Sequence, residues 1–328
     1  MTNTLVQEKT MVELTDIVPE LKQVEEELHN VLVSESITQE LCTSLLKSGG
    51  KRLRPLLVLL SGKSCGAKTQ DLIAIAVAAE LIHMASLVHD DIIDNSHSRR
   101  GAETINSSHG NKTAVLTGDY LFANAFRLLA EAKQYKSLSL MVKAISDMCD
   151  GEICQANSSF DLSQDESSYI DRIDKKTGKL ITACCQAGAL AANASMAEIA
   201  ALSEYGRNLG IAFQIADDIL DYTGSDSSLG KPACNDLSQG ILTLPILLLL
   251  EDEKYGPWLK DHLKNKCLAL VSQQQLLKAL QETGALKASE TKAFQHIQQA
   301  NRALDRIPAN PHRDVLISIA HMALKRKK

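Results

Sequence analysis

Residues Asp71–Gly101 read DLIAIAVAAELIHMASLVHDDIIDNSHSRRG. From Leu72 to Val88 the segment is almost wholly apolar, interrupted by Glu80 and His83. It ends on three aspartates, Asp90, Asp91 and Asp94, and Arg99 and Arg100 follow. The length and the lack of strand-like alternation predict one core helix from Asp71 to about Asp94. His83, Leu87, Asp90 and Asp94 are spaced i, i+4, i+7 and i+11, so they share one face, and Asp91 lies about 100° round from it. Carboxylates at a helix C-terminus are disfavoured by roughly 0.3–1 kcal/mol each, before their mutual repulsion is counted. Divalent cations would neutralise that charge. Aspartates with no His or Cys cluster beside them suit hard, oxygen-seeking ions, Mg2+ above all. Taken alone, the stretch fits a solvated acidic cap equally well.

A second copy makes that bland reading improbable. Phe213–Asp221, FQIADDILD, repeats the Asp-Asp-x-x-Asp pattern. Gln214, Asp217 and Asp221 fall at i, i+3 and i+7, again a one-sided strip on an apolar helix. Cations accompany both copies: Arg99 and Arg100 after the first, Lys231 after the second, with KRLR (51–54) and KKTGK (175–179) elsewhere. Carboxylates that hold metals beside arginines and lysines that hold oxyanions describe a diphosphate site. On this reading acid and base stop short of each other because substrate phosphates occupy the gap.

The 328 residues are 45% hydrophobic and only 4% aromatic, with 17 Gly and 7 Pro, which favours an all-α protein packed on aliphatic side chains. Helical spacing predicts elements near residues 11–47, 113–132, 136–156, 167–196, 197–222 and 241–251. Shorter amphipathic helices are expected over 257–325, with 158–168 as a surface loop. Gly49–Gly50 should end one helix and Pro55 suits the first turn of the next. No linker marks a boundary, so a single domain is expected. The net charge of −5 argues against nucleic acid as a partner, and the terminal KRKK reads as solubilising. Cys42, Cys65, Cys149, Cys154, Cys184, Cys185, Cys234 and Cys267 have no zinc spacing and no signal peptide precedes them. They are expected to be reduced thiols of a cytoplasmic protein, mostly core fillers. The segments 71–91 and 241–250 are expected to be core helices rather than membrane spans.

GGKRLRP, HDDIIDNSHSRRG, KKTGKL and GIAFQIADDILDYTGSDSSLGKPACNDLSQGILTLPI resemble, in order and spacing, the trans-isoprenyl diphosphate synthases, or polyprenyl synthetases, from about residue 10 to the C-terminus. HMASLVHDDIID and GDYLFANAF look closest to the catalytic subunits (component II) of bacterial heptaprenyl diphosphate synthases. The resemblance implies an all-α isoprenoid synthase fold, a single polyprenyl synthetase domain around a large central cavity. It also implies condensation of isopentenyl diphosphate with an allylic diphosphate, farnesyl diphosphate as the expected primer. Asp90, Asp94 and Asp217 would ligate Mg2+, three ions with substrate bound, and Asp91, Asp218 and Asp221 would complete the motifs. Arg99, Lys176, Thr177, Gln214 and Lys231 would hold the allylic diphosphate. Lys51, Arg54, His83 and Arg100 would hold that of isopentenyl diphosphate.

In this family a bulky residue four or five positions before the first aspartate stops chain growth. Ala85 and Ser86 are small, so a longer product, C35, is expected, for a respiratory quinone such as menaquinone. Ile82, Phe122 or Phe126 would form the floor. The relatives work as homodimers or with a smaller non-catalytic subunit, and peripheral membrane contact would serve product release. Hexaprenyl, octaprenyl and geranylgeranyl products stay open. A terpene cyclase fits less well because both motifs are DDxxD, and a non-catalytic helical partner fits less well because both are intact. Two positions depart from the family: Cys234 stands where glycine is usual, and Gly178, in place of alanine, should loosen its helix by up to about 1 kcal/mol.

Replacing Asp90 or Asp217 with Ala should lower turnover by orders of magnitude with helicity unchanged. Product formation and far-UV circular dichroism check this, and full activity in either variant would remove that aspartate from the metal set.

Overall fold

The structure is a computed structural model that describes residues 18–32, 37–47, 49–99, 101–224, 234–265 and 272–324. Arg100, Lys231, Cys267 and the terminal KRKK lie outside the described residues. The helices are α1 (Glu20–Leu32), α2 (Ile37–Lys47), α3 (Leu53–Ser64), α4 (Thr69–Ile93), α5 (Ile105–Glu131), α6 (Tyr135–Asn157) and α7 (Glu166–Ile173). A π-helical turn, Asp174–Gly178, leads into α8 (Lys179–Ala191) and α9 (Met196–Thr223). Then come α10 (Asn235–Ser238), α11 (Leu244–Leu250), α12 (Tyr255–Lys264), α13 (Gln273–Glu282), α14 (Ala285–Ala303) and α15 (Pro311–Leu324). The one departure from all-α among these residues is a two-stranded antiparallel ribbon, β1 (Ser98–Arg99) with β2 (Ala102–Glu103).

The chain divides into two compact units. The first comprises Met1–Lys143, Ala183–Ser203 and Leu304–Ser318; the second comprises Ala144–Thr182, Glu204–Ala303 and Ile319–Lys328.

In the first unit α4 is the central element, packed against α1, α3 and α5. It has no polar stripe over its first three turns, and Leu72, Ile75–Ile82, Met84, Ala85 and Val88 are all buried, as an almost uniformly apolar helix requires. It is long and apolar enough to cross a membrane, but 67% of its most apolar stretch is buried within the protein. It starts at Thr69, two residues before the predicted Asp71, and the Lys63 ammonium donates to the Thr69 hydroxyl there at 2.6 Å. α5 runs antiparallel to α4: the Gln134 amide donates to the Asp71 carbonyl at 3.4 Å, while His89 Nε2 lies 3.1 Å from the Val115 carbonyl. α5 breaks at Gly110, whose φ of 80° leaves the helix.

In the second unit the C-terminal half of α9 supplies Ile211, Ile215, Ile219 and Tyr222. They pack with Tyr169 and Ile173 of α7, with α11, and with residues of α12, α13 and α14. α11 is the predicted apolar segment, with Pro245 in its first turn, where the missing N–H leaves nothing unbonded. The segment predicted as one helix over 167–196 is instead three pieces, because the backbone slips by one residue at Asp174–Gly178. That slip goes with a close approach of two helices: a Cβ on Gly210 would lie 2.7 Å from the Gly178 Cα.

At Gly178 a packing constraint stands beside the expected loosening of the helix. A Cβ there would sit 2.4 Å from Asp174 Oδ1. Asp174 cannot swing aside freely, since its other oxygen pairs with Arg207 at 2.8 Å and Lys179 at 3.2 Å. The cysteines divide as well: Cys42, Cys184 and Cys185 are buried, but Cys149 and Cys154 are exposed on α6.

Gly210→Ala should cost about 1–3 kcal/mol through overpacking. Chemical denaturation measures it, and an unchanged midpoint would show that the crossing can open.

Candidate active site

The C-terminal end of α4 carries the first acidic motif. Asp90 is half-buried and Asp94 exposed, whereas Asp91 is turned inward at 5% exposure. The face His83, Leu87, Asp90, Asp94 is the open side of α4, as its spacing predicts, and Met84, Val88 and Asp91 form the closed side.

The expected gap between acid and base is not there for Asp91. The β1–β2 ribbon folds Arg99 back, and its Nε donates to Asp91 Oδ1 at 2.8 Å. Burial still pushes the Asp91 carboxyl up from the usual carboxylate range; Arg99 opposes this and Asp94 adds to it. The loop is held close: the Ser96 N–H donates to the Asp91 carbonyl at 2.9 Å, and the Asn106 amide bridges the carbonyls of Asp91 and Ser96 at 3.2 and 3.1 Å. Carbonyls at the helix end thus gain partners in place of water.

In the same unit, Lys51 is exposed ahead of α3, Arg54 is half-buried in its first turn, and His83 is half-buried on α4. Between the two cations, Arg52 adopts a left-handed conformation, φ 45°. Its guanidinium is clamped by Glu80 of α4 at 3.0 Å and by Glu25 of α1. The KRLR run is therefore not a uniform charge run: Arg52 is anchored by carboxylates, and Lys51 and Arg54 flank that anchor.

The second unit carries the other motif on α9. Asp217 is half-buried, while Asp218 and Asp221 are 4% and 3% exposed. Asp218 Oδ2 accepts from the Tyr169 hydroxyl at 2.7 Å and Oδ1 from the Gln214 amide at 2.8 Å; Gln214 Oε1 accepts from the Thr177 hydroxyl at 2.6 Å. Asp221 Oδ2 accepts from the Asp236 N–H at 3.3 Å. Lys176 sits in the π-helical turn and pairs with Glu152 of α6 at 2.8 Å. Predicted ligands Lys176, Thr177 and Gln214 thus come together with Asp218, and π-turns of this kind recur at functional sites.

The donors of each motif, taken by itself, suit a hard divalent cation: Asp90 and Asp94 in the first unit and Asp217 in the second are the more exposed members of their motifs and offer only oxygen. Among the described residues no group of three His, Cys, Asp or Glu side chains forms a ready cage.

The Polyprenyl synthetase family profile matches residues 35–282. The chain belongs to the polyprenyl synthetase family. It is 39% identical over 302 residues to heptaprenyl diphosphate synthase component 2 of Geobacillus stearothermophilus, covering 92% of this chain and 94% of that one. It is 33% identical over 313 residues to the octaprenyl diphosphate synthase of Haemophilus influenzae, with 94% of each covered. The fold superimposes with a TM-score of 0.90 on a polyprenyl synthase of Caulobacter crescentus crystallised with calcium and isoprenyl diphosphate, 33% identical over 97% of each chain. The chain is accordingly a prenyltransferase with the all-α isoprenoid synthase fold.

Within this polyprenyl synthetase, the positions expected to bear on product length lie in the first unit. Ala85 is fully buried and the half-buried Ser86 turns its hydroxyl onto the His83 carbonyl at 2.9 Å. Phe122 lies 5.8 Å from the His89 ring and stacks on Phe126 at 6.2 Å.

Sequence reasoning missed Tyr169, Arg172, Glu152, Glu80 and Arg52 as supports of these groups. The signal for the first two was present: Tyr169, Arg172 and Lys176 recur at i, i+3 and i+7 just ahead of KTG.

Burial pushes the Asp218 carboxyl up to about 7; Asp236 and Asp217 add repulsion, and the hydrogen bonds from Tyr169 and Gln214 oppose it. A carboxyl raised in the folded state contributes stability that is full below its unfolded value of about 4. That contribution is lost as pH rises through about 7. The melting temperature should therefore fall as pH is raised from about 5 to about 8, and Asp218→Asn should flatten that slope. Thermal melts across pH check it; an equal slope in the variant would assign the dependence to other groups.

Proposed function

We propose that the protein is a trans-polyprenyl diphosphate synthase that adds isopentenyl diphosphate head-to-tail to an allylic primer, farnesyl diphosphate, and stops at heptaprenyl (C35) diphosphate. The product would supply the side chain of a respiratory quinone such as menaquinone. The observation that carries this reading is the division within each acidic motif. Asp91 in the first motif and Asp218 and Asp221 in the second are buried and hydrogen-bonded within the protein, while Asp90 and Asp217 are half-buried and Asp94 is exposed.

Mg2+ held by Asp90, Asp94 and Asp217 would draw charge from the leaving diphosphate. Lys176, Thr177, Gln214 and Arg99 bind the oxyanions of the allylic substrate; Arg99 can do so while its Nε stays on Asp91, since a guanidinium has five donors. Lys51, Arg54 and His83 bind the diphosphate of isopentenyl diphosphate. The allylic C–O bond ionises, and its electron pair leaves with the diphosphate. The double bond of isopentenyl diphosphate attacks the allylic cation, and the proton lost from the new C–C product passes to the departed diphosphate. The side chains contribute charge stabilisation and alignment, and none forms a covalent bond.

Chain length follows from the tunnel wall. Ala85 and Ser86 leave the first turn before Asp90 without a bulky stop, and each further turn adds about 5.4 Å. Phe122 and Phe126 are the aromatic pair on the facing helix that would end it. The 39% identity to a heptaprenyl component 2 favours C35, and the 33% identity to an octaprenyl enzyme keeps C40 as the second reading. A companion subunit, either a second copy or a smaller non-catalytic chain, accords with the "component 2" name of that relative. Val115 and Leu116 on α5 are apolar and exposed, as a covered face requires. We place the enzyme in the cytoplasm, with peripheral membrane contact for product release.

Purified protein given Mg2+, farnesyl diphosphate and labelled isopentenyl diphosphate should give a C35 product on chain sizing, and Phe126→Ala should shift it longer. Farnesyl or geranylgeranyl diphosphate as the end product would sink the length assignment. Activity appearing only after a small partner subunit is added would decide for the heterodimer.

A further inference from the structure

The second motif is supported by a side chain that the sequence pattern does not include. Tyr169 is fully buried on α7, and its hydroxyl donates to Asp218 Oδ2 at 2.7 Å. The other Asp218 oxygen accepts from the Gln214 amide at 2.8 Å, and Gln214 accepts from the Thr177 hydroxyl at 2.6 Å. With one hydrogen bond on each oxygen, the carboxylate plane is fixed. With its NH2 turned to Asp218, the Gln214 amide must present its oxygen to Thr177. One line of hydrogen bonds therefore runs from a core phenol to two groups assigned to the allylic diphosphate, past the neighbour of Asp217.

The phenol is itself held in place. Arg172, 6% exposed, lies 5.6 Å above its ring and donates to the Leu242 carbonyl at 2.6 Å and to Gln164. Packing alone would be served by phenylalanine here. A buried hydroxyl is unfavourable unless bonded, and this one is bonded to a carboxylate, where such bonds are shortest and strongest.

We infer that Tyr169 is a positioning residue of the second acidic motif, setting through Asp218 the orientation of Gln214 and Thr177 and the backbone turn that carries Asp217. The inference deepens the proposed function and rests on it. Tyr169 touches no substrate; it acts through Asp218, so its loss changes how well metal and allylic diphosphate are held. The isopentenyl diphosphate site, assigned to Lys51, Arg54 and His83, keeps its own supports.

Tyr169→Phe removes one oxygen and keeps the ring. With helicity and melting behaviour close to wild type, the variant should need about tenfold more Mg2+ for half-maximal rate and show about a tenfold higher KM for the allylic substrate. The KM for isopentenyl diphosphate should stay the same. In calorimetry, Mg2+ with inorganic pyrophosphate should bind the variant about tenfold more weakly than wild type. Unchanged Mg2+ dependence and allylic KM, or a fall in kcat alone, would show a purely structural tyrosine and overturn the inference while leaving the proposed function intact. If wild-type protein, with or without a partner subunit, condenses no isoprenoid, the proposed function fails. The pyrophosphate titration then still decides on Tyr169: weaker binding in the variant supports its positioning role, and equal binding removes it.

Discussion

A carboxylate inside an apolar helix bundle must be given a partner, and much of this structure follows from meeting that requirement. Desolvating an unpaired charge costs several kcal/mol even after relaxation. Asp91 meets it through Arg99, Glu80 through Arg52, Asp174 through Arg207 and Lys179, and Asp218 through Tyr169 and Gln214. Arg52, Arg99, Arg207 and Tyr169 reach their acids from other elements of the chain, while Gln214 and Lys179 lie about a turn from theirs. The acids therefore also act as ties: Glu80 draws the turn before α3 onto α4, and Asp91 draws the β1–β2 ribbon back over the helix end. A motif of three aspartates is in this sense two kinds of group. The inward ones tie the backbone, and the outward ones lie nearer the surface.

This division explains what could and could not be read from the sequence. The long helices were legible because α4 and α9 combine unbroken aliphatic runs with a fixed period, and the open face of α4 matched the spacing of His83, Leu87, Asp90 and Asp94. The inward turn of Asp91 was not legible. Its side of the helix follows from spacing, but its burial depends on Arg99, whose position is set by strands of two residues with no alternation to detect. The π-turn at Asp174–Gly178 was hidden for a related reason. It depends on the approach of Gly178 to Gly210, a contact across 32 positions that no local pattern reports. Tyr169 and Asp218 are farther apart still, and only the recurrence of Tyr169, Arg172 and Lys176 along one face hinted at a shared environment.

GGKRLRP shows the same principle in a turn. Arg52 holds a left-handed conformation that costs an L-residue roughly 1–2 kcal/mol. The ion pairs to Glu80 and Glu25 offset that cost in a site where Arg52 is largely desolvated. A lysine could not grip two carboxylates with the same planar fork. The strain belongs to the anchor, and the flanking Lys51 and Arg54 inherit a fixed starting point for α3 without carrying it themselves.

Cys234 raises a related case, a left-handed residue held by main-chain bonds. Its φ of 61° accounts for the glycine usual at this position, since glycine reaches that region at no steric cost. What the site needs from the residue is backbone. Its N–H donates to the Asp221 carbonyl at 2.8 Å, and its own carbonyl accepts from the Ser238 N–H at 3.1 Å, opening α10. Asp236, two residues on, then donates its N–H to the Asp221 carboxylate. Two main-chain N–H groups, of Cys234 and Asp236, thus close the segment onto Asp221 at the end of the second motif, and any residue able to turn left-handed can take part. Together the bonds over-determine the turn, which lets cysteine hold a conformation that costs it more than glycine.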